Sequence, residues 1–421
     1  MGAGKVNLEK SDKNSEPLRK NRDFSLLWTS QAASELGSTV SILAFPLLIL
    51  SIHGSAVLAG AVGSMQAVIR AVLQLPAGAL ADRWNRRTLM LGCDAGRVVL
   101  FMALGGLVLV DHASVPVIFM ISGCVAVLDV MFVPGEAAAV SQLVGPERVS
   151  EAFAKNEART YAASLAGPSL GGLLYSIGRA IPFLFDALTY IVSFTLISRI
   201  RRPLQQPREG RPKGSLVRDI LEGLKYVVSS PFLRGVLFTA TPINFALVSA
   251  QFSVTLALTE SGYTPAVLGM AQGVIAVGGL LGALSAPWIQ GRVTFYPLLL
   301  ATVSTLFVLM VVSALSVGRF LMVLPLALGL FLAPAINAAL FGRLAVTTPN
   351  HLQGRVISVV VLLATASASA APLSSGMFVE RLGSIAAMTS CVVAVALSLF
   401  AALYFRGLRI EKASHTDPFP N

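Results

Sequence analysis

Charged side chains are scarce in this sequence. They make up 13% of its 421 residues, about half the ~25% usual in a soluble domain. Cysteine is scarcer, with Cys93, Cys124 and Cys391 each inside an apolar stretch. Their separation lacks the paired spacing of a metal site, so they read as packing thiols, and no metal or cofactor is expected. The absence of a G-x-x-x-x-G-K run argues against ATP hydrolysis through a phosphate loop, and no nucleophile–base constellation marks an enzyme. No apolar run precedes Phe24, so the expectation is no cleavable leader, with the first span serving as its own insertion signal.

What is abundant is apolar surface: 55% of residues are hydrophobic and the mean hydropathy is +0.74. A spanning helix needs ~20 predominantly apolar residues. Twelve stretches qualify, at 24–52, 57–80, 88–110, 115–139, 152–178 and 182–198, then 232–258, 264–289, 294–315, 319–341, 354–378 and 383–405. The predicted class is an all-α integral membrane protein with twelve transmembrane helices. A net charge of +11 might suggest a nucleic-acid partner, but the basic residues segregate by side. Only Arg179, Arg319 and Arg381 fall in the loops of one side, and Arg70 and Arg97 fall within spans. The rest gather on the other side, which the positive-inside rule assigns to the cytoplasm together with both termini. The expected location is a plasma membrane, a prokaryotic inner membrane, with the bilayer as partner and no nucleic acid.

The chain divides once. Arg199, Arg201, Arg202, Arg208, Arg211 and Lys213 alternate with Pro203, Pro207 and Pro212, the composition of a stiff, solvated linker. Beyond it Ser215 can cap a helix in which Leu216, Val217, Ile220, Leu221, Leu224, Val227 and Val228 follow a 3.6-residue period. Such a helix should lie in the inner interface. The predicted organisation is a tail (1–23), a six-helix bundle (24–198), a linker with interfacial helix (199–231), a second six-helix bundle (232–405) and a second tail (406–421). The bundles repeat weakly. Ala56-Val57-Leu58 matches Ala266-Val267-Leu268, Phe132-Val133-Pro134 matches Leu332-Ala333-Pro334, and Pro168 and Gly172 match Pro372 and Gly376. Two pseudo-symmetric halves follow.

Between spans 2 and 3 runs Gly78-Ala79-Leu80-Ala81-Asp82-Arg83-Trp84-Asn85-Arg86-Arg87. A glycine closes a helix, an acid follows, and arginines crowd a turn too short and too charged to cross lipid. This pattern resembles the loop signature of the major facilitator superfamily. In span 5, Ala163-Ser164-Leu165-Ala166-Gly167-Pro168-Ser169-Leu170-Gly171-Gly172 resembles the G-x-x-x-G-P-x-x-G-G element of the family's exporters, with Ala163 at the first glycine. Gly167, Gly171 and Gly172 let helix backbones approach, while Pro168 removes an amide donor and kinks the span. Asn21-Arg22-Asp23-Phe24, Asp94 to Arg97, and Thr348-Pro349 through Gly354-Arg355-Val356 resemble the branch with the enterobactin exporter and macrolide efflux proteins. Span 4 departs from the pattern: it has no arginine, where many drug/proton antiporters carry one.

The resemblance implies a monomeric secondary transporter that exports an organic compound in exchange for protons by alternating access. A proton-coupled importer and a transport-inactive receptor are the alternatives. Gly78, Asp82, Arg83, Arg86, Arg87, Glu136 and Arg355 would form the gate. Asp82 would face the amino end of span 11, where the helix dipole favours an acid, and Glu136 would join through Arg86, Arg87 or Arg355. Ionisable groups inside spans cost ~2.5–3.5 kcal/mol each on insertion scales. At 1.5 Å per residue, Glu35, Arg70 and Asp129 share a layer near the midplane. Arg70 is expected to pair with one acid and leave the other to carry a proton, or else to form a fixed structural pair. Asp94 and Arg97 should satisfy each other, and Asp186 and Glu260 should sit near the outer surface in water. The second half has no mid-depth charge. Asn244, Gln251, Gln272 and Asn337 are its polar candidates for contact with a small-molecule substrate, and amphiphilic organic molecules fit such a lining.

Overall fold

The computed structural model describes residues 18, 21–81, 84–144, 148–202, 204, 216–348 and 352–409. The first half holds α1 (Arg22–His53), α2 (Ala56–Ala81), α3 (Arg86–Leu109), α4 (Val115–Leu143), α5 (Val149–Ile177) and α6 (Ile181–Ser198). After the linker helix α7 (Leu216–Ser229) come α8 (Pro231–Glu260), α9 (Pro265–Gln290), α10 (Phe295–Leu315) and α11 (Val323–Thr347). The last span is preceded by one in two pieces, α12 (Gln353–Ala366) and α13 (Ala371–Leu382), and is itself α14 (Ser384–Tyr404). A 3-10 turn, Ser367–Ala370, joins α12 to α13. Pro372 follows at the start of α13, where its missing N–H and its ring are incompatible with an uninterrupted α-helix.

Local chemistry sets several ends. The Asn21 side chain accepts from the Phe24 N–H to cap α1, and Gly54 closes that helix at φ 67°. Asn85 caps α3 through the Thr88 N–H. Gly78 does not close α2. It lies inside the last turn, because Ala79-Leu80-Ala81 are strong helix formers and carry the helix on to Ala81.

Eleven helical segments among the described residues are long and apolar enough to cross a membrane. α5 is not one of these, since Glu151, Lys155, Glu157 and Arg159 occupy its first three turns. It nevertheless packs along α1 and α9, inside the bundle, and completes the twelve spans. Large apolar side chains cover the outside: Leu315 is 82% and Leu284 72% exposed. That surface suits lipid, not water. α7 packs on α12 and α8, burying Val227 and leaving Leu221 and Val228 exposed.

The helix pairing repeats between the halves. α1 packs on α5 and α6, α3 on α4 and α6, and α2 on α4. Correspondingly α8 packs on α13 and α14, α10 on α11 and α14, and α9 on α11. The bundles meet through two related crossings, α5 on α9 and α13 on α2. Close contacts set the register: Arg97 meets Asp129 as Leu306 meets Gly329, and Gly171 meets Val40 as Ser375 meets Ser249.

Candidate functional site

A guanidinium on α5 organises the first half. The Arg159 side chain is only 8% exposed. Its Nε donates to Glu35 Oε2 on α1 at 2.8 Å, and its Nη2 donates to Glu136 Oε1 on α4 at 3.0 Å. Its Nη1 is buried without a partner. A second buried cation, Arg97 on α3, holds Asp94 at 2.5 Å and Asp129 on α4 at 3.1 Å. Its guanidinium also lies 4.3 Å from the Tyr190 ring centroid and 4.6 Å from that of Phe132. Ser193 donates to the other oxygen of Asp94 at 2.7 Å. Charges buried this deeply are tolerated because each is paired; removing one partner would strand the other in a low dielectric.

These groups line a pocket of ≈ 320 Å³ that includes Glu35, Arg70, Arg97, Asp129, Glu136 and Arg159. Thr39, Ile42 and Arg70 also line a second cavity, of ≈ 330 Å³, between the two bundles. Phe45 and Gln66 face that central cavity from the first half, and Gln251, Phe252, Thr255 and Gln272 face it from the second. The space is largely apolar, with polar groups at a few points and a charged alcove on one side.

Several expectations change. Arg70 takes neither acid: α5 lies against α1 and α3 against α4, so Arg159 and Arg97 reach Glu35 and Asp129 instead. Among the described residues Arg70 makes no ion pair. The cation missing from span 4 is thus supplied by its neighbours. Glu136 turns inward to Arg159 and not to Arg86, Arg87 or Arg355. Arg86 donates to the Leu204 carbonyl, Arg87 to the Ser198 carbonyl, and Arg355 pairs with Glu222 of α7 at 2.5 Å. Asp82 and Arg83 lie outside the described residues. Asp94 and Arg97 do pair, and Glu260 is exposed where Ser384 bonds it. Asp186 is not in water. It is fully buried, accepts from Ser41 at 2.6 Å and Thr189 at 3.2 Å, and approaches α1 where Gly37 leaves room.

Arg159 was missed because span 5 was drawn from residue 152, which made it a basic helix end. α5 starts at Val149, so Arg159 stands about 15 Å along it, level with Glu35. The substrate-contact candidates divide. Gln251 and Gln272 line the central cavity, where Gln272 Nε2 donates to the Gln251 carbonyl at 3.1 Å and to Thr255 Oγ1 at 2.9 Å. Asn244 and Asn337 line a separate recess within the second half.

The glycine-rich element of α5 lies at the seam between bundles, at the end away from the basic loops. A Cβ on Gly172 would stand 2.2 Å from the Pro265 carbonyl oxygen of α9, and one on Gly376 2.2 Å from that of Ala56. Gly171 packs on the Val40 backbone, Gly167 on Thr39, and Pro168 presents its carbonyl to Gly269. Hydrogen bonds stitch both crossings. The Ala266 N–H donates to Ser176 Oγ at 3.0 Å, and the Val57 N–H and Ser55 hydroxyl donate to Glu380 at 2.9 and 2.8 Å. At this end the bundles meet backbone to backbone.

The chain is similar to known proteins in sequence and in fold. The chain is 28% identical to the multidrug efflux pump Tap of Mycolicibacterium fortuitum over 82% of its own length and 87% of that protein's. It is 28% identical to Tap of Mycobacterium tuberculosis, covering 94% of this chain and 96% of the relative. Among solved structures, the nucleoside transporter NupG superposes with a TM-score of 0.71 at 12% identity, covering 92% of this chain and 99% of that one. A bacterial homologue of the iron transporter ferroportin in its inward-facing state gives 0.68 at 14%, covering 93% and 99%. The profile of the Major Facilitator Superfamily matches residues 27–372. With this match along most of a twelve-span, two-bundle chain built around a central cavity, the protein belongs to the Major Facilitator Superfamily of membrane transporters.

Proposed function

We propose that this transporter exports an amphiphilic organic molecule, of drug, macrolide or siderophore-like character, in exchange for protons. The observation that carries the reading is that, among the described residues, the buried acid–arginine pairs fall in the first half, in an alcove beside a central cavity whose far wall is uncharged. The acids Glu35, Glu136 and Asp129 are the coupling groups. Protonation of Glu35 removes its charge attraction to Arg159 and releases the tie between α1 and α5, so proton occupancy is linked to helix position. Arg70, unpaired among the described residues at the junction of alcove and cavity, feels the change in field when either acid is neutralised. Efflux as the direction is supported by the relatives named multidrug efflux pumps and by the glycine-rich element in α5.

Alternating access then requires the seam of α5 on α9 and α13 on α2 to part at one end while the opposite end closes. Asp82, Arg83, Arg86, Arg87 and Arg355 are assigned to the closing end, with both termini in the cytoplasm of a prokaryotic cell and a monomer as the working unit. The decisive experiment uses inverted membrane vesicles carrying the protein. Macrolides, siderophores and lipophilic cations are tested for accumulation with and without an imposed pH gradient. Accumulation that the gradient drives and a protonophore abolishes supports the reading; accumulation indifferent to both overturns proton exchange.

A further inference from the structure

The two halves hold one pocket twice, and only one copy is charged. In the second half, α8, α10 and α11 enclose a recess of ≈ 90 Å³ lined by residues that include Asn244, Leu247, Thr302, Leu306, Ala333 and Leu340. In the register set by the helix contacts, this is the counterpart of the charged alcove between α1, α3 and α4. Asn244 stands where the first half has Glu35, Leu306 where it has Arg97, Gly329 where it has Asp129 and Ile336 where it has Glu136. Val303 likewise replaces Asp94. Each ionic group has become neutral, and most have become smaller. The uncharged copy is the smaller space, ≈ 90 Å³ against ≈ 320 Å³, and its lining is mainly apolar.

That space is not simply greasy packing. Thr302 is 5% exposed and its hydroxyl has no hydrogen-bond partner among the described residues, which costs free energy unless something else supplies one. The Asn244 amide nitrogen donates to the Ala240 carbonyl at 2.9 Å. Asn337, at the exposed edge, makes no side-chain bond among the described residues. One turn further along α8, Val248 and Gln251 line the central cavity, so the two spaces are neighbours along that helix.

We infer that the recess is a binding subsite for an uncharged, largely apolar substituent bearing a hydroxyl or carbonyl, projected from a substrate whose body lies in the central cavity. The inference rests on the substrate class proposed above. Thr302 and Asn244 make the polar contacts, and Leu247, Val303 and Leu306 cover the alkyl part. The volume is below the ~150 Å³ that accepts benzene in an apolar cavity, so the subsite suits a branched alkyl group and excludes a fused ring system. The charged alcove responds to protons, and its uncharged counterpart selects cargo.

Protein in lipid nanodiscs tests this through the fluorescence of three dansyl amides, with N-methyl, N-isobutyl and N-(2-hydroxy-2-methylpropyl) substituents, corrected for empty nanodiscs. The expected wild-type result is tighter binding of the two branched amides, by up to about fourfold per methylene buried, with the hydroxylated one ahead of the isobutyl. Ala333→Phe fills the recess and should flatten the series while leaving methylamide affinity unchanged, which also certifies that the variant is folded. Thr302→Val, close to isosteric, should erase only the preference for the hydroxyl. Wild-type binding that does not depend on the substituent, or an Ala333→Phe protein that keeps the full gain, overturns the subsite and leaves the export reading standing. Failure of wild-type protein to bind any of the three overturns the substrate class and the subsite with it.

Discussion

Arg159 Nε meets Glu35 Oε2 at 2.8 Å, joining α5 to α1 across 124 positions of sequence. The same guanidinium takes Glu136 with a second nitrogen. One cation therefore ties three helices around the alcove, and its presence or absence should be felt both in stability and in transport.

Arg159→Ala strands two carboxylates whose side chains are 25% and 14% exposed. Breaking a buried pair in this way costs about 3–5 kcal/mol, so the variant should unfold at lower temperature and lose uphill efflux. Adding Glu35→Gln to it should recover part of the stability, because the stranded charge is gone. A thermal melt of the two single variants and the double variant checks this; purely additive losses would show that the two groups do not interact.

Glu35→Gln with Asp129→Asn should abolish efflux driven by a pH gradient while sparing downhill exchange of substrate, which does not require a proton cycle. Glu136→Gln should reduce the driven flux less, since Glu35 keeps Arg159. The assay is accumulation in inverted vesicles at matched expression. Full accumulation by the double variant would remove both acids from coupling.

At the seam, Gly172→Ala places a methyl where the Pro265 carbonyl already stands, so α5 and α9 must separate. Spin labels on the exposed sites Ile177 and Met270, in a background without native cysteine, should report a longer mean distance than in wild type. Glu380→Gln should shift the α13–α2 crossing in the same direction and by less. It retains an acceptor for the Ser55 hydroxyl and the Val57 N–H but loses the charge. An unchanged distance distribution in Gly172→Ala would show that this crossing does not limit opening.

Asp186 has a structural role, and its variants should separate along that line. Asp186→Asn keeps an acceptor for Ser41 and Thr189 and should preserve proton-driven transport. Asp186→Ala leaves the buried Ser41 hydroxyl without its acceptor, while Thr189 keeps the backbone carbonyl of residue 186, and should cost about 1–3 kcal/mol, read as a lower melting temperature. Loss of proton dependence in Asp186→Asn would instead make Asp186 part of the proton path.

By itself the sequence determined the class of this molecule: twelve spans, two repeated bundles, the linker helix, and the segregation of basic residues all follow from hydropathy and charge, because lipid permits few solutions to chain burial. It also identified Glu35 and Asp129 as costly buried acids, while placing Glu136 in the gate. Their partners came only from tertiary structure, since pairing depends on which helices touch and on each helix's rotation. A short error in the start of α5 hid Arg159 among cytoplasmic charges and left Arg70 as the apparent cation. The burial of Asp186 and the separation of Asn244 and Asn337 from Gln251 and Gln272 have the same origin. Depth along a helix can be counted from its end, but the facing neighbour is set by packing between segments distant in sequence.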